Sequence, residues 1–283
     1  MIDKSPIAAR ARRVAGAAAR RPGLVLSALV LLLIMGWVLV PDWFGGQSPT
    51  VGVAQQRLEP PSSRHLFGTD QLGRDVYARV VHAAGLSLGT ALAATAIASA
   101  AGVLLGLAAG YFGRTADVVI SRIVDITLSI PSVLLSLLII SALGGGTLHI
   151  AVAVAVTSIA GFSRLTRAEV LRIRTAVHVE AAALGGARWW RILARYVAPA
   201  VVGPVLGLAA LDFGLVVLAV SALSFLGYGP PPPAQEWGAL VASGRNYLAT
   251  AWWLSTLPGL TVAVVVLAAN RLSRALETER SRA

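Results

Sequence analysis

Apolar runs as long as Leu24 to Val40 and Ala200 to Leu226 constrain this 283-residue chain before any other feature does. A helix crossing the hydrocarbon core of a bilayer needs about 20 apolar residues, more than a helix in a soluble core requires. Further apolar runs lie at about 85–111, 123–143, 148–163 and 253–270. The shorter ones must borrow from their flanks and the longer ones can tilt. Composition agrees: 13% of residues are charged and 56% hydrophobic, against roughly 25% charged in soluble domains. The expected fold class is an all-α integral membrane protein with about six transmembrane helices.

Six crossings put both termini on one side, and the cations choose the side. With the termini inside, the outer segments hold only Arg57, Arg64, Arg74, Arg79 and Arg245 of the 24 Lys and Arg. The rest cluster in the inner segments, as the positive-inside rule requires. The expected organisation is a basic cytoplasmic tail over 1–23, a first span over 24–40 and an external loop over 41–84. A core of five spans follows over 85–270, with a cytoplasmic loop over 164–199, and a cytoplasmic tail over 271–283. The basic start resembles a signal peptide, but the apolar run ends in Pro41-Asp42-Trp43 without a small-residue cleavage site, so it reads as a retained span.

Several chemistries are excluded. There is no cysteine, hence no disulfide and no thiolate. Lys4 is the only lysine, so no phosphate-binding loop ending in Gly-Lys exists and ATP is not hydrolysed by this chain through that motif. The net charge of +11 sits at the ends of apolar segments, which points to the membrane and not to nucleic acid. Gly85-Leu86-Ser87-Leu88-Gly89 matches the spacing of a nucleophile elbow but opens an apolar helix, and His65, His82, His149 and His178 are scattered. No metal or cofactor is expected on this chain.

Gly102, Gly106 and Gly110 share one helical face, as do Gly85 and Gly89, a spacing that lets membrane helices approach closely. The sequence does not say whether the partner helix belongs to this chain. Asp125 reads as a helix-end acid near Arg122; Asp212 lies nearer mid-span, where an ionisable group suggests either a translocation pathway or a structural pair.

The inner loop carries Glu180-Ala181-Ala182-Ala183-Leu184-Gly185-Gly186, then Trp189 and Trp190 among arginines, and ends at Pro199. Alanines favour helix and the glycine pair breaks it. The stretch is either an amphipathic helix at the membrane interface or a short helix-turn-helix that docks into a soluble partner. The outer run Pro230 to Pro233 favours stiff, extended geometry.

Glu180, Ala181, Ala182, Gly186 and Pro199 resemble the EAA motif of type I ABC importer permeases, with Tyr196 and Ala198 departing from its downstream half. His65-Leu66-Phe67-Gly68-Thr69-Asp70-Gln71-Leu72-Gly73-Arg74-Asp75-Val76 is similar to the segment before the second helix of dipeptide, oligopeptide and nickel permeases. Ser224 to Pro233, with Glu236-Trp237-Gly238, resembles their last external loop.

The resemblance implies a type I ABC importer permease fold in the bacterial cytoplasmic (inner) membrane. It implies four kinds of partner: a second homologous permease, two ATPase subunits that carry ATP and Mg, an external substrate-binding protein, and the lipid bilayer. It places ATPase coupling on Glu180, Ala181, Ala182, Gly186 and Pro199, with Pro199 marking re-entry into the membrane. In the outer segment, His65, Phe67, Gly68, Thr69, Asp70, Gly73, Arg74 and Asp75 are expected to form either a turn-rich, salt-bridged ledge bracing the second helix or a substrate contact. The implied cargo is a dipeptide or oligopeptide, with nickel chelates, glutathione or haem as alternatives. A secondary transporter would need broken or polar helices at the midplane, and an intramembrane enzyme a convergent catalytic set.

Overall fold

The computed structural model describes residues 22–280. Residues 1–21 of the expected basic tail and residues 281–283 lie outside the described residues. Ten helices organise the rest: α1 (Pro22–Leu39), α2 (Pro41–Gly45), α3 (Val76–Phe112), α4 (Arg114–Ser129), α5 (Ser132–Leu143), α6 (Thr147–Arg174), α7 (Val177–Leu184), α8 (Trp189–Tyr228), α9 (Trp237–Gly244) and α10 (Trp253–Arg280). No strand occurs among the described residues.

Helices α1, α3, α6, α8 and α10 are each long and apolar enough to cross a bilayer, and α4 with α5 makes a sixth candidate only as a bent pair. The single helix expected over 123–143 is therefore corrected: the pair turns by 97° between Ser129 and Ser132. Pro131 causes the break. The ring of a proline pushes the preceding residue out of helical geometry, and Ile130 is extended, at φ −94 and ψ 129.

Helix α3 begins at Val76, nine residues before the apolar run, so the last part of the expected external loop 41–84 is helical. Asp75 is its cap, with the Ala78 N–H donating to Asp75 Oδ1 at 2.7 Å. At 37 residues α3 is about 55 Å long, well beyond the hydrocarbon thickness. Helix α6 likewise continues through Arg164, Arg167, Arg172 and Arg174, so the expected loop over 164–199 shrinks to a turn, α7 and a second turn.

The stripe of Gly102, Gly106 and Gly110 packs against α6 of the same chain. A methyl group built on Gly106 would lie 2.5 Å from Thr166 Cβ and 2.6 Å from the Ser163 carbonyl oxygen, closer than atoms can approach. Gly102 meets Phe162 and Gly110 meets Val170 in the same way. Gly85 and Gly89, by contrast, face open space. Around this pair, α8 and α10 pack against each other through Ser273, whose hydroxyl donates to Ala210 O at 2.8 Å.

Pro199 stands in the first turn of the α-helical stretch Ala198–Leu223. It lies within α8, directly after a wider π turn over Leu193–Val197. Proline has no N–H to offer the preceding turn, and a π turn is one way a continuous helix absorbs that loss. The proline run departs from the extended form: it turns, with the Ala234 N–H donating to Pro231 O at 3.3 Å.

Candidate functional site: an exposed capped helix, a buried ledge and a lone mid-span acid

Helix α7 holds Glu180, Ala181 and Ala182, and its end is fixed by Gly186. The Gly186 N–H donates to Ala183 O at 3.0 Å and the Ala187 N–H to Ala182 O at 3.1 Å. This pair of bonds is a Schellman cap, and it needs a left-handed residue at Gly186, where φ is +80. Nothing lies within 4 Å of the position a side chain would take there. Glycine at 186 is thus a matter of backbone angle and not of crowding.

The helix is presented outward. Val177 is 83% and Leu184 90% exposed, and Ala181 is exposed between them, so one apolar stripe at helical spacing has no cover. Glu180 is exposed in the first turn, where a negative charge suits the helix dipole. Its base is anchored on both sides. Arg174 Nη1 donates to Gly110 O at 3.1 Å and to Tyr111 O at 3.3 Å, closing the end of α3. Trp189 packs on Phe112 with ring centroids 5.5 Å apart, and His178 lies against Tyr196 at 6.1 Å. Pro199 sits further along α8, apart from this turn.

The outer segment forms a second constellation that is closed to solvent. His65, Thr69, Asp70 and Asp75 are all buried. His65 Nδ1 and Asp75 Oδ2 are 2.8 Å apart, while the other oxygen of Asp75 caps α3. Asp70 takes Arg74 Nε at 2.7 Å and Arg79 Nη1 at 2.6 Å, and accepts the backbone N–H groups of Leu72 and Arg74. The Thr69 hydroxyl bonds Gln56 O and receives the Glu59 N–H at 2.8 Å. Trp253 of α10 donates to Thr69 O at 3.3 Å. Phe67 meets Tyr77 edge-on at 5.2 Å.

Gly73 adopts φ +72, and a methyl group there would lie 1.9 Å from Val53 O; Gly68, at φ +70, would collide with Glu59 O. Both turns require glycine. Every residue expected in this segment is brought together, and the polar atoms of His65, Thr69, Asp70 and Asp75 are buried.

Arg79, Glu236 and Trp237 join this segment, which the sequence did not anticipate. Arg79 joins the ledge to the last loop through Gln235 Oε1 at 2.9 Å. Glu236 is buried and caps α9 by accepting the Ala239 N–H at 3.0 Å, with the Ser87 hydroxyl donating to its other oxygen at 3.1 Å. Burial pushes the Glu236 carboxyl above the usual carboxylate range. Trp237, fully buried, donates its indole N–H to Val80 O at 2.9 Å. The signals were Gln235, Glu236 and Trp237 after the proline run, but their partners lie about 150 residues away.

Asp212 lies apart from both constellations. It faces Ser158 of α6, and one of its oxygens is enclosed without a hydrogen-bond partner among the described residues. It joins neither α7 nor the ledge. Among the described residues no group of three His, Asp or Glu could hold a metal ion.

Residues 102–282 match the family described as binding-protein-dependent transport system inner membrane component. The di/tripeptide transport system permease protein DppC of Pseudomonas aeruginosa is 38% identical, over 91% of this chain and 87% of that protein. The nickel transport system permease protein NikC of Escherichia coli is 32% identical, over 89% and 91%. Among solved structures, a chain of an amino acid ABC transporter crystallised with histidines superposes with a TM-score of 0.53. That match covers 68% of this chain and 90% of the other at 16% identity, which establishes a shared fold.

Proposed function

Since the chain belongs to the inner membrane components of binding-protein-dependent transport systems and is a multi-pass permease subunit of an ABC importer, we propose that with a second homologous permease it forms a path for dipeptides or oligopeptides. Two separate ATPase subunits drive the path from the cytoplasm and an external binding protein loads it. The observation that carries the mechanical part is α7: a rigidly capped helix whose apolar stripe of Val177, Ala181 and Leu184 lies bare at the end of the bundle. Exposed apolar patches of this kind mark docking surfaces. Supporting the cargo assignment, identity is higher to the di/tripeptide permease than to the nickel permease.

In this reading the buried ledge is architecture. It fixes the external end of α3 against α10 and the last loop, and selection of cargo falls to the binding protein. Both termini face the cytoplasm. Because the chain has no cysteine, single cysteines at the exposed positions Ser63 and Thr175 report sidedness cleanly. An impermeant thiol reagent applied to intact cells should label Ser63→Cys and spare Thr175→Cys.

The deciding experiment is uptake of labelled dipeptide into proteoliposomes holding this chain, the second permease, both ATPases and the binding protein. Uptake should require ATP and the binding protein together. Uptake by this chain alone, driven by a proton gradient, would overturn the proposal in favour of a secondary transporter.

A further inference from the structure

Asp212 lies almost midway along the apolar run Ala200 to Leu226 of α8 and is its only ionisable residue. An acid at this depth is costly, and as a rule it faces a protein interior or a water-filled cavity and has a partner for its charge. This chain supplies no such partner. Among the described residues no cation acts on Asp212; the polar group it faces is the neutral Ser158 hydroxyl of α6, and one carboxylate oxygen is enclosed without a hydrogen-bond partner. The side chain as a whole is only half-buried, so it is reached from outside the bundle.

Helix α8 cannot slide to relieve this, because it is fastened to α10 two residues away on either side. The Ser273 hydroxyl donates to Ala210 O at 2.8 Å, and a methyl group on Gly214 would lie 2.6 Å from Asn270 Oδ1. A fixed acceptor gives up less freedom on binding than a mobile one. On α6, Gly161 follows Ser158 by three residues and so shares its face. Gly161 is exposed, and nothing lies within 4 Å of the position a side chain would take there. The carboxylate thus stands beside a bare spot on the neighbouring helix, with room for a group from outside this chain.

We propose that Asp212 is a cargo contact within the transmembrane path: it accepts the α-ammonium of a short peptide, the Ser158 hydroxyl is a second acceptor, and the space at Gly161 admits the peptide's first residue. The inference rests on the importer reading given above and deepens it by naming where this subunit touches the cargo and which end it holds. An ammonium brings the missing positive charge together with three donors. It is also a main-chain group, present on peptides whatever their side chains. A cation on the second permease is the competing partner for the same carboxylate, and a permanent ion pair there would close the space that a path requires.

The complete importer is reconstituted in proteoliposomes, and radiolabelled dialanine uptake and ATP hydrolysis are measured together with thermal unfolding of the permease pair. In Asp212→Asn, dialanine delivered per ATP hydrolysed should fall about tenfold, the scale of one charged hydrogen bond. The unfolding midpoint should not fall, because the change removes a charge that has no partner in the resting protein. Unchanged delivery per ATP would overturn the proposal. A lowered midpoint would do so as well, by assigning the carboxylate to a cation of the second permease. A second readout is independent of rates. With p-benzoylphenylalanine at Gly161, labelled dialanine should crosslink during turnover, and adding Asp212→Asn to the same chain should weaken that crosslink about tenfold. Crosslinking only to the second permease or to phospholipid, or a dialanine crosslink indifferent to Asp212→Asn, would sink the assignment. A native complex that takes up no dialanine with ATP and binding protein present fails before any variant is compared, and removes the importer reading itself.

Discussion

Asp70 holds Arg79 at 2.6 Å with both side chains almost wholly removed from solvent, Asp70 at 1% and Arg79 at 11% exposure. One carboxylate thereby fastens a loop residue to the first turn of a 37-residue helix, and Arg79 passes the connection on to Gln235.

Asp70→Ala should destabilise the folded chain by about 3–5 kcal/mol, because it strands the Arg79 guanidinium without its carboxylate. Arg74 and two backbone N–H groups lose their acceptor as well. The measurement is thermal unfolding of the detergent-purified permease pair. An unchanged midpoint would show that the ledge is not a brace.

Two glycines on the same helix should respond to alanine with opposite signs. At Gly106 the added methyl meets Thr166 and Ser163 of α6, and forcing the helices apart should cost about 1–3 kcal/mol. At Gly89 the space is open, and alanine should gain up to about 1 kcal/mol from its better helix propensity. A destabilised Gly89→Ala variant, with Gly106→Ala unaffected, would reverse the assignment of the packed face.

Gly186→Val should leave membrane insertion and assembly of the permease pair intact, since the spans are held by intramembrane packing. It should abolish stimulated ATP hydrolysis or attachment of the ATPases. The left-handed conformation costs a side-chain-bearing residue roughly 1–2 kcal/mol, and more for a β-branched one. Gly186→Asn tests the cause, because asparagine tolerates positive φ. It should retain most activity. Loss in both variants would point to a need for a bare surface at 186 and not to a backbone angle.

Glu236 gives a pH dependence with a definite sign. Burial raises its folded-state pKa above the unfolded value of 4.5, so the folded chain holds this proton more tightly than the unfolded chain. Its contribution is neutral below the unfolded value and becomes a loss of stability as pH climbs through the window up to the folded value. Glu236→Gln removes that ionisation. The unfolding midpoint of the native chain relative to Glu236→Gln should therefore fall as pH rises through this window. A difference that is flat, or rises with pH, would contradict the burial argument.

What the sequence determined by itself is local and periodic. Apolar runs gave the spans, arginine placement favoured one topology, Gly186 marked the reversal of the inner helix, and Gly102, Gly106 and Gly110 announced a close-packed face. Pro131 carried the break of the third segment in plain view, although a hydropathy window averages over a single residue. What only the tertiary structure decided is which distant groups meet. That the glycine face of α3 packs on α6, that Arg79 reaches Gln235, and that Glu236 and Trp237 close on Ser87 and Val80 are pairings between residues dozens to about 150 positions apart. Such pairings leave no periodic trace, because in a membrane bundle the selection among possible helix partners is made by shape and by the few polar groups that must be satisfied away from water.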